Sequence, residues 1–141
     1  MLSELISHVA KSNALTEETA KSSIGIILNA AMRQGSDFAE AVFQTLPGAR
    51  ALSARSGSEV GAATGVIALL IEQTPGGKRH VAQKMILDLQ NLGLDHKAIG
   101  HLLPSISTYM ESAYGLKGYG HLGDLIGTDL DNLEIAMTEA A

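Results

Sequence analysis

Residues Val60 to Ile71 read V-G-A-A-T-G-V-I-A-L-L-I and carry no charge, with Glu59 and Glu72 at their ends. Twelve residues make about three helical turns, close to 18 Å in length. A bilayer core needs about 20 apolar residues, so the stretch is too short to cross one. It also lacks a polar face, so as a helix it must be covered on most sides by other helices. Gly57, Gly61 and Gly65 fall at i, i+4 and i+8 and share one face, with Ala62 and Ala63 beside it. That spacing has the form of a G-x-x-x-G seam between two copies of a chain. It suits close packing inside one copy equally well, and outside a membrane that is the commoner outcome.

The rest of the chain reads as short helices around this centre. Leu2, Leu5, Ile6 and Val9 follow the i, i+3, i+4, i+7 pattern of an amphipathic helix that Asn13 ends. Thr16 caps a second helix, with Glu17 and Glu18 in its first turn and Ile24, Ile27, Leu28 and Ala31 as its stripe; Gly35 stops it. Ser36 caps a third, whose Phe38, Ala41, Val42 and Leu46 face inward. Pro47-Gly48 breaks the chain. Ala49 to Arg55 makes one or two turns, Ser56-Gly57-Ser58 reads as a loop, and Ser58 is placed to cap the central helix.

Beyond Thr74-Pro75-Gly76-Gly77, Lys78 to Leu92 forms a helix with Val81, Met85, Leu89 and Leu92 on one face, supported by Ile86 and stopped by Gly93. Asp95 caps a shorter helix with Ile99, Leu102 and Leu103. Pro104 interrupts it, so Ser105 to Tyr114 is a new or kinked helix. Gly115, Gly118, Gly120 and Gly123 make a turn-rich passage. Thr128-Asp129-Leu130-Asp131 has capping-box form and opens a last helix with Leu130, Leu133 and Met137 on one side. No stretch alternates with period two. The expectation is therefore a compact all-α single domain over residues 1–141, seven to nine short helices around a central apolar one, with 128–141 a detachable acidic C-terminal helix.

Charge is unevenly placed. Residues 1–117 hold ten acids and ten bases, so the net charge of −5 lies entirely in Asp124, Asp129, Asp131, Glu134 and Glu139. No basic stripe exists for nucleic acid. The chain has no cysteine, which removes disulfides and thiolate chemistry. Its start, M-L-S-E-L-I-S-H, lacks the basic n-region and long apolar run of a signal peptide, and a cytoplasmic protein is expected.

Two stretches carry a resemblance. The first is L-I-S-H-V-A-K-S-N-A-L-T-E-E-T-A, continuing through I-I-L-N-A-A to D-F-A-E-A-V-F-Q-T-L-P-G. The second is L-G-L-D-H-K-A-I-G-H-L-L-P-S-I-S-T-Y-M, followed by H-L-G-D-L-I-G. Together they cover well over half the chain, with landmarks at Asp37-Phe38, Pro47-Gly48, Leu92-Gly93-Leu94 and Pro104. The chain resembles the VcgC/VcgE-like family of small bacterial domains of unknown function. It departs from that family at the apolar central stretch, and at Ser22-Ser23 in place of paired glycines. The resemblance implies a fold and brings no activity or catalytic residue.

Several motifs invite chemistry. Gly118-Tyr119-Gly120-His121-Leu122-Gly123 matches G-x-G-x-x-G, but that fingerprint needs a preceding strand, and here a helix precedes it. Gly76-Gly77-Lys78-Arg79 precedes a helix without the P-loop frame. His96 and His101 are five apart, off one helical face; His8 lies on the polar side of the first helix, His80 reads as a solvated ring at a helix start, and His121 lies in the Gly-rich passage. No catalytic residue, cofactor site or metal site is assigned. Two functions remain. One is a non-enzymatic module that binds itself or another protein through Gly57, Gly61, Gly65, Leu130, Leu133 and Met137. The other is a domain that holds a small apolar ligand against Leu103, Ile106, Tyr109 and Met110.

Overall fold

The computed structural model of the 141-residue chain describes residues 1–33, 37–60 and 77–116. Six α-helices and no strand occur among them: α1 (Leu2–Ser12), α2 (Glu17–Arg33), α3 (Asp37–Thr45), α4 (Ala49–Glu59), α5 (Gly77–Asn91) and α6 (His96–Tyr114). The all-α expectation holds. The apolar stretch after Val60 and the last helix from Thr128 lie outside the described residues. Val60 itself ends α4 and packs partly buried against the core.

Among the described elements α2 is the hub. It packs against α1, α3, α4 and α5. Its expected stripe of Ile24, Ile27, Leu28 and Ala31 has no exposed surface, and Ala20, Ser23, Gly25, Ile26 and Ala30 are buried with it. A helix buried on so many sides must be apolar nearly all round, which is how α2 reads from Ile24 to Ala31. Thr16 caps it, its hydroxyl accepting from the Thr19 amide at 3.1 Å.

Two corners use one device. After α1 the chain turns at Ala14 (φ 53°), and the Leu15 amide returns to the Ala10 carbonyl at 2.9 Å. After α5 it turns at Gly93 (φ 100°), and the Leu94 amide returns to the Leu89 carbonyl at 3.3 Å. Both are Schellman-type endings, in which an apolar residue after the turn folds back on the helix. Each is followed at once by the next N-cap. Asp95 accepts from the Ala98 amide at 2.7 Å, with Leu94 before the cap and Ile99 after it in staple positions.

Three expectations are corrected. Ser56-Gly57-Ser58 is not a loop; α4 runs unbroken from Ala49 to Glu59, and Ser58 sits inside it rather than capping a later helix. Its buried face is Ala49, Leu52, Ser53, Ser56 and Gly57, helical in spacing but made of small residues. Pro104 does not break the chain either, because α6 is continuous across it. One interior proline costs about 3 kcal/mol. Leu102 and Leu103 on one side of it and Ile106 and Met110 on the other are fully buried, and each such side chain contributes about 1.5–3 kcal/mol. Burial outweighs the missing hydrogen bond. Finally, Leu92 lies past the last turn of α5 and is exposed; Leu94, turned back by Gly93, is buried in its stead.

A lysine paired within α5 also ties that helix to the end of α4. Lys84 Nζ donates to Asp88 Oδ1 at 2.7 Å and to the Val60 carbonyl at 3.0 Å. Asp88 is nearly buried, so its charge needs this partner. Lys84 in turn satisfies a carbonyl that the last turn of α4 leaves without an intrahelical donor.

Candidate functional site

Two surface features stand apart from the closed core. The first is the edge where α1 packs on α6. Leu5 and Val9 point α1 into the core, so Glu4, His8 and Ser12, at i, i+4 and i+8, form its outer ridge. On α6, Ile106 and Met110 are fully buried, which leaves Tyr109 at the rim. The two helices bring the His8 and Tyr109 rings into a stack, with centroids 4.7 Å apart and planes 28° off parallel. Tyr114 meets Tyr109 edge-on at 6.3 Å. His8 Nε2 and Ser12 Oγ lie 3.3 Å apart, and the Met1 amine contacts the Glu4 carboxylate at 3.4 Å and the Tyr114 hydroxyl.

The chemistry available there is limited by these partners. Half-burial pushes the Tyr109 phenol above its ordinary value, with Tyr114 and Glu4 adding to the shift. Tyr109 therefore stays protonated through neutral pH and presents a ring and a hydroxyl rather than a phenolate. Ser12 and His8 make a hydroxyl–imidazole pair, but among the described residues no carboxylate is hydrogen-bonded to the ring to orient it as nucleophilic catalysis requires. What remains is a rigid aromatic platform with hydrogen-bonding tips, a surface type suited to contact with another molecule.

The second feature is a pair of exposed leucines, Leu87 on α5 and Leu92 in the turn that follows it. Leu87 is 52% exposed and Leu92 39% exposed, within two turns of each other. Between them lie Gln90, half-buried, and Asn91, exposed; both are uncharged. The acid nearest Leu87 in sequence, Asp88, is engaged by Lys84.

The residues singled out by sequence fall as follows. Gly57 turns inward against α2: a Cβ there would come within 2.5 Å of Asn29 Nδ2. The face it offers is occupied within the chain. Gly61, Gly65, Leu130, Leu133 and Met137 lie outside the described residues. Leu103, Ile106 and Met110 are together in the core with no exposed surface, and Tyr109 marks the point where that cluster meets solvent. His96 is half-buried with its Nε2 at 3.5 Å from Gln90 Nε2, His101 is exposed, and neither approaches the other. The His80 side chain and His121 lie outside the described residues, as does the Gly118–Gly123 motif. Of Gly76-Gly77-Lys78-Arg79, only the backbone from Gly77 onward is described, as the first turn of α5. Among the described residues no three His, Asp or Glu side chains gather as a metal site, and no helix is long and apolar enough to cross a membrane.

The His8–Tyr109 pairing was not legible in sequence, because the two residues are separated by nearly the whole described chain and only the α1–α6 contact joins them. The available signal was that each flanks fully buried positions on its own helix. No family model, no curated protein and no solved structure matches the chain.

Proposed function

We propose that the chain is a non-enzymatic helical module that associates with a second copy of itself. Membership of the VcgC/VcgE-like family, and work in a bacterial cytoplasm, belong to the same proposal. The supporting observation is the pair of exposed leucines, Leu87 on α5 and Leu92 just past its end. One isolated exposed leucine needs no explanation. Here two lie five residues apart with the uncharged Gln90 and Asn91 between them, while Leu89, Ile99 and Leu102 are buried in the core. Apolar side chains rimmed by side chains that are cheap to desolvate have the composition of the centre of a protein interface. The tyrosine and histidine platform on the α1–α6 edge offers a further contact of the same type.

Native mass spectrometry of the full chain tests this. A dimer or larger assembly that dissociates on dilution is expected, with no bound small molecule. A monomer at every concentration overturns self-association. A monomer that carries a defined adduct points instead to an apolar ligand held near Leu103, Ile106, Tyr109 and Met110.

A further inference from the structure

We propose that Lys84 is a charged clasp: it holds the last turn of α4 closed on α2, and taking its charge away opens that turn while the rest of the core stays folded. Helix α4 does not finish itself. It carries no base in its last turn, where a cation would meet the negative end of the helix dipole. The residue after it, Val60, has φ −92° and ψ 5°, not the left-handed turn with which Gly115 closes α6. Lys84 of α5 supplies what is missing. Its Nζ donates to the Val60 carbonyl at 3.0 Å, so one ammonium group satisfies a terminal carbonyl and sets a positive charge at the end of the dipole.

The ammonium is held in place from its own helix. The Asp88 carboxylate, one turn on, accepts from it at 2.7 Å and 3.0 Å. With its side chain only 10% exposed, Asp88 has little water to turn to instead. It therefore fixes where the lysine points, and a flexible side chain becomes a directed contact. The consequence lies on the other side of α4. Its last turn carries Ser56 and Gly57, both buried. These are the residues that fit close to α2: a Cβ on Gly25 would meet Ser56, and a Cβ on Gly57 would meet the Asn29 side chain. Residues this small bury little apolar area, so they hold the turn weakly once its end is free. Leu52, the largest buried side chain of α4, lies a turn earlier, and opening stops there. Helices α4 and α5 each pack against α2, and the bond from Lys84 to Val60 joins them.

Hydrogen exchange of the full chain, read by mass spectrometry, tests the clasp, because local opening shows as faster exchange in one segment alone. In Lys84→Met the amides of residues 57–60 should exchange roughly tenfold faster or more. That variant also strands the Asp88 carboxylate, which can loosen the whole core. The double variant Lys84→Met with Asp88→Leu removes the stranded charge and separates the two causes. Its α1 and α6 amides should regain the protection of the parent chain while residues 57–60 stay fast. If protection returns at 57–60 as well, the lysine serves only to neutralise Asp88 and the clasp is wrong. Acceleration spread evenly over α1, α4 and α6 in the double variant overturns it too, since no separate turn then opens.

Discussion

Helices α2 and α4 pack through what they lack, whereas α1 and α6 pack through what they carry. On the α2–α4 seam a Cβ added at Gly25 would lie 2.0 Å from Ser56 Oγ and 2.7 Å from Ser56 Cβ. Ser53 is buried there with a hydroxyl that has no hydrogen-bond partner. The backbones approach so closely that side-chain volume is excluded. On the α1–α6 side the buried residues are large: Leu5 and Val9 on α1, and Leu102, Leu103, Ile106 and Met110 on α6. One contact should therefore fail when an atom is added, and the other when atoms are taken away.

The largest effect is expected where volume is removed from α6. Ile106 has no exposed surface, so Ile106→Ala should cost roughly 2–5 kcal/mol, set by how far the site collapses. Urea unfolding of the full chain measures it. A loss below about 1 kcal/mol would show that this part of the core is loosely packed, and would revive a ligand space next to Tyr109.

The seam gives the opposite experiment. Gly25→Ala gains helix propensity of about 1 kcal/mol, but the added methyl meets Ser56. Rotating the Ser56 hydroxyl clears the first contact and leaves the second, and the Leu52 carbonyl at 3.1 Å is backbone that cannot move alone. A net loss of about 1–3 kcal/mol is expected. Combining Gly25→Ala with Ser56→Gly should return a large part of it. If the two losses simply add, the seam is not the constraint. Gly57→Ala should cost less, because its obstacle is the end of the Asn29 side chain, which can swing away.

This contrast also explains what could be read in advance. The stripes of α1 and α2 were visible because large aliphatic residues recur with the helical period, and Thr16 and Asp95 announced their caps. Helix α4 was not visible as one piece. Its buried positions 49, 52, 53, 56 and 57 keep that period, but Ser53, Ser56 and Gly57 look like loop when judged by hydrophobicity. Smallness is a packing signal only when the partner is known, and the partner, Gly25 with Asn29, lies far away in sequence. Pro104 misled for the converse reason, since a local penalty was outweighed by burial that local pattern does not count. The same applies to the surface. Leu92 continued the apolar face of α5 on paper, yet Gly93 turned the chain one residue later and gave its place to Leu94. The aromatic edge depends on a contact between the first and last described helices, which no local spacing encodes.

A further variant isolates backbone from packing. Gly100 lies on the exposed side of α6, and a Cβ there would have nothing within 4 Å. Gly100→Ala should stabilise the chain by roughly 0.5–1 kcal/mol, a gain opposite in sign to the Gly25 result for the same chemical change. Equal signs at the two glycines would remove the distinction between seam and surface, and thermal unfolding is enough to see it.

The smallest expected effect lies at the α1–α6 rim. Burial, with Tyr114 and Glu4 beside it, raises the Tyr109 phenol above its ordinary value of 10.0. A raised folded value means that folding favours the protonated phenol. Its contribution to stability is therefore complete below pH 10.0 and is lost as pH rises through the higher folded value, because the unfolded chain releases its proton first. Tyr109→Phe removes that ionisation while keeping the ring against His8. The variant should unfold like the parent at neutral pH and resist alkali slightly better. In an ultraviolet titration, the tyrosinate component missing from Tyr109→Phe should have its midpoint above 10.0. A missing component centred at or below that value would place Tyr109 in open solvent. The α1–α6 edge would then be an ordinary wet surface, and the aromatic platform would add nothing to association.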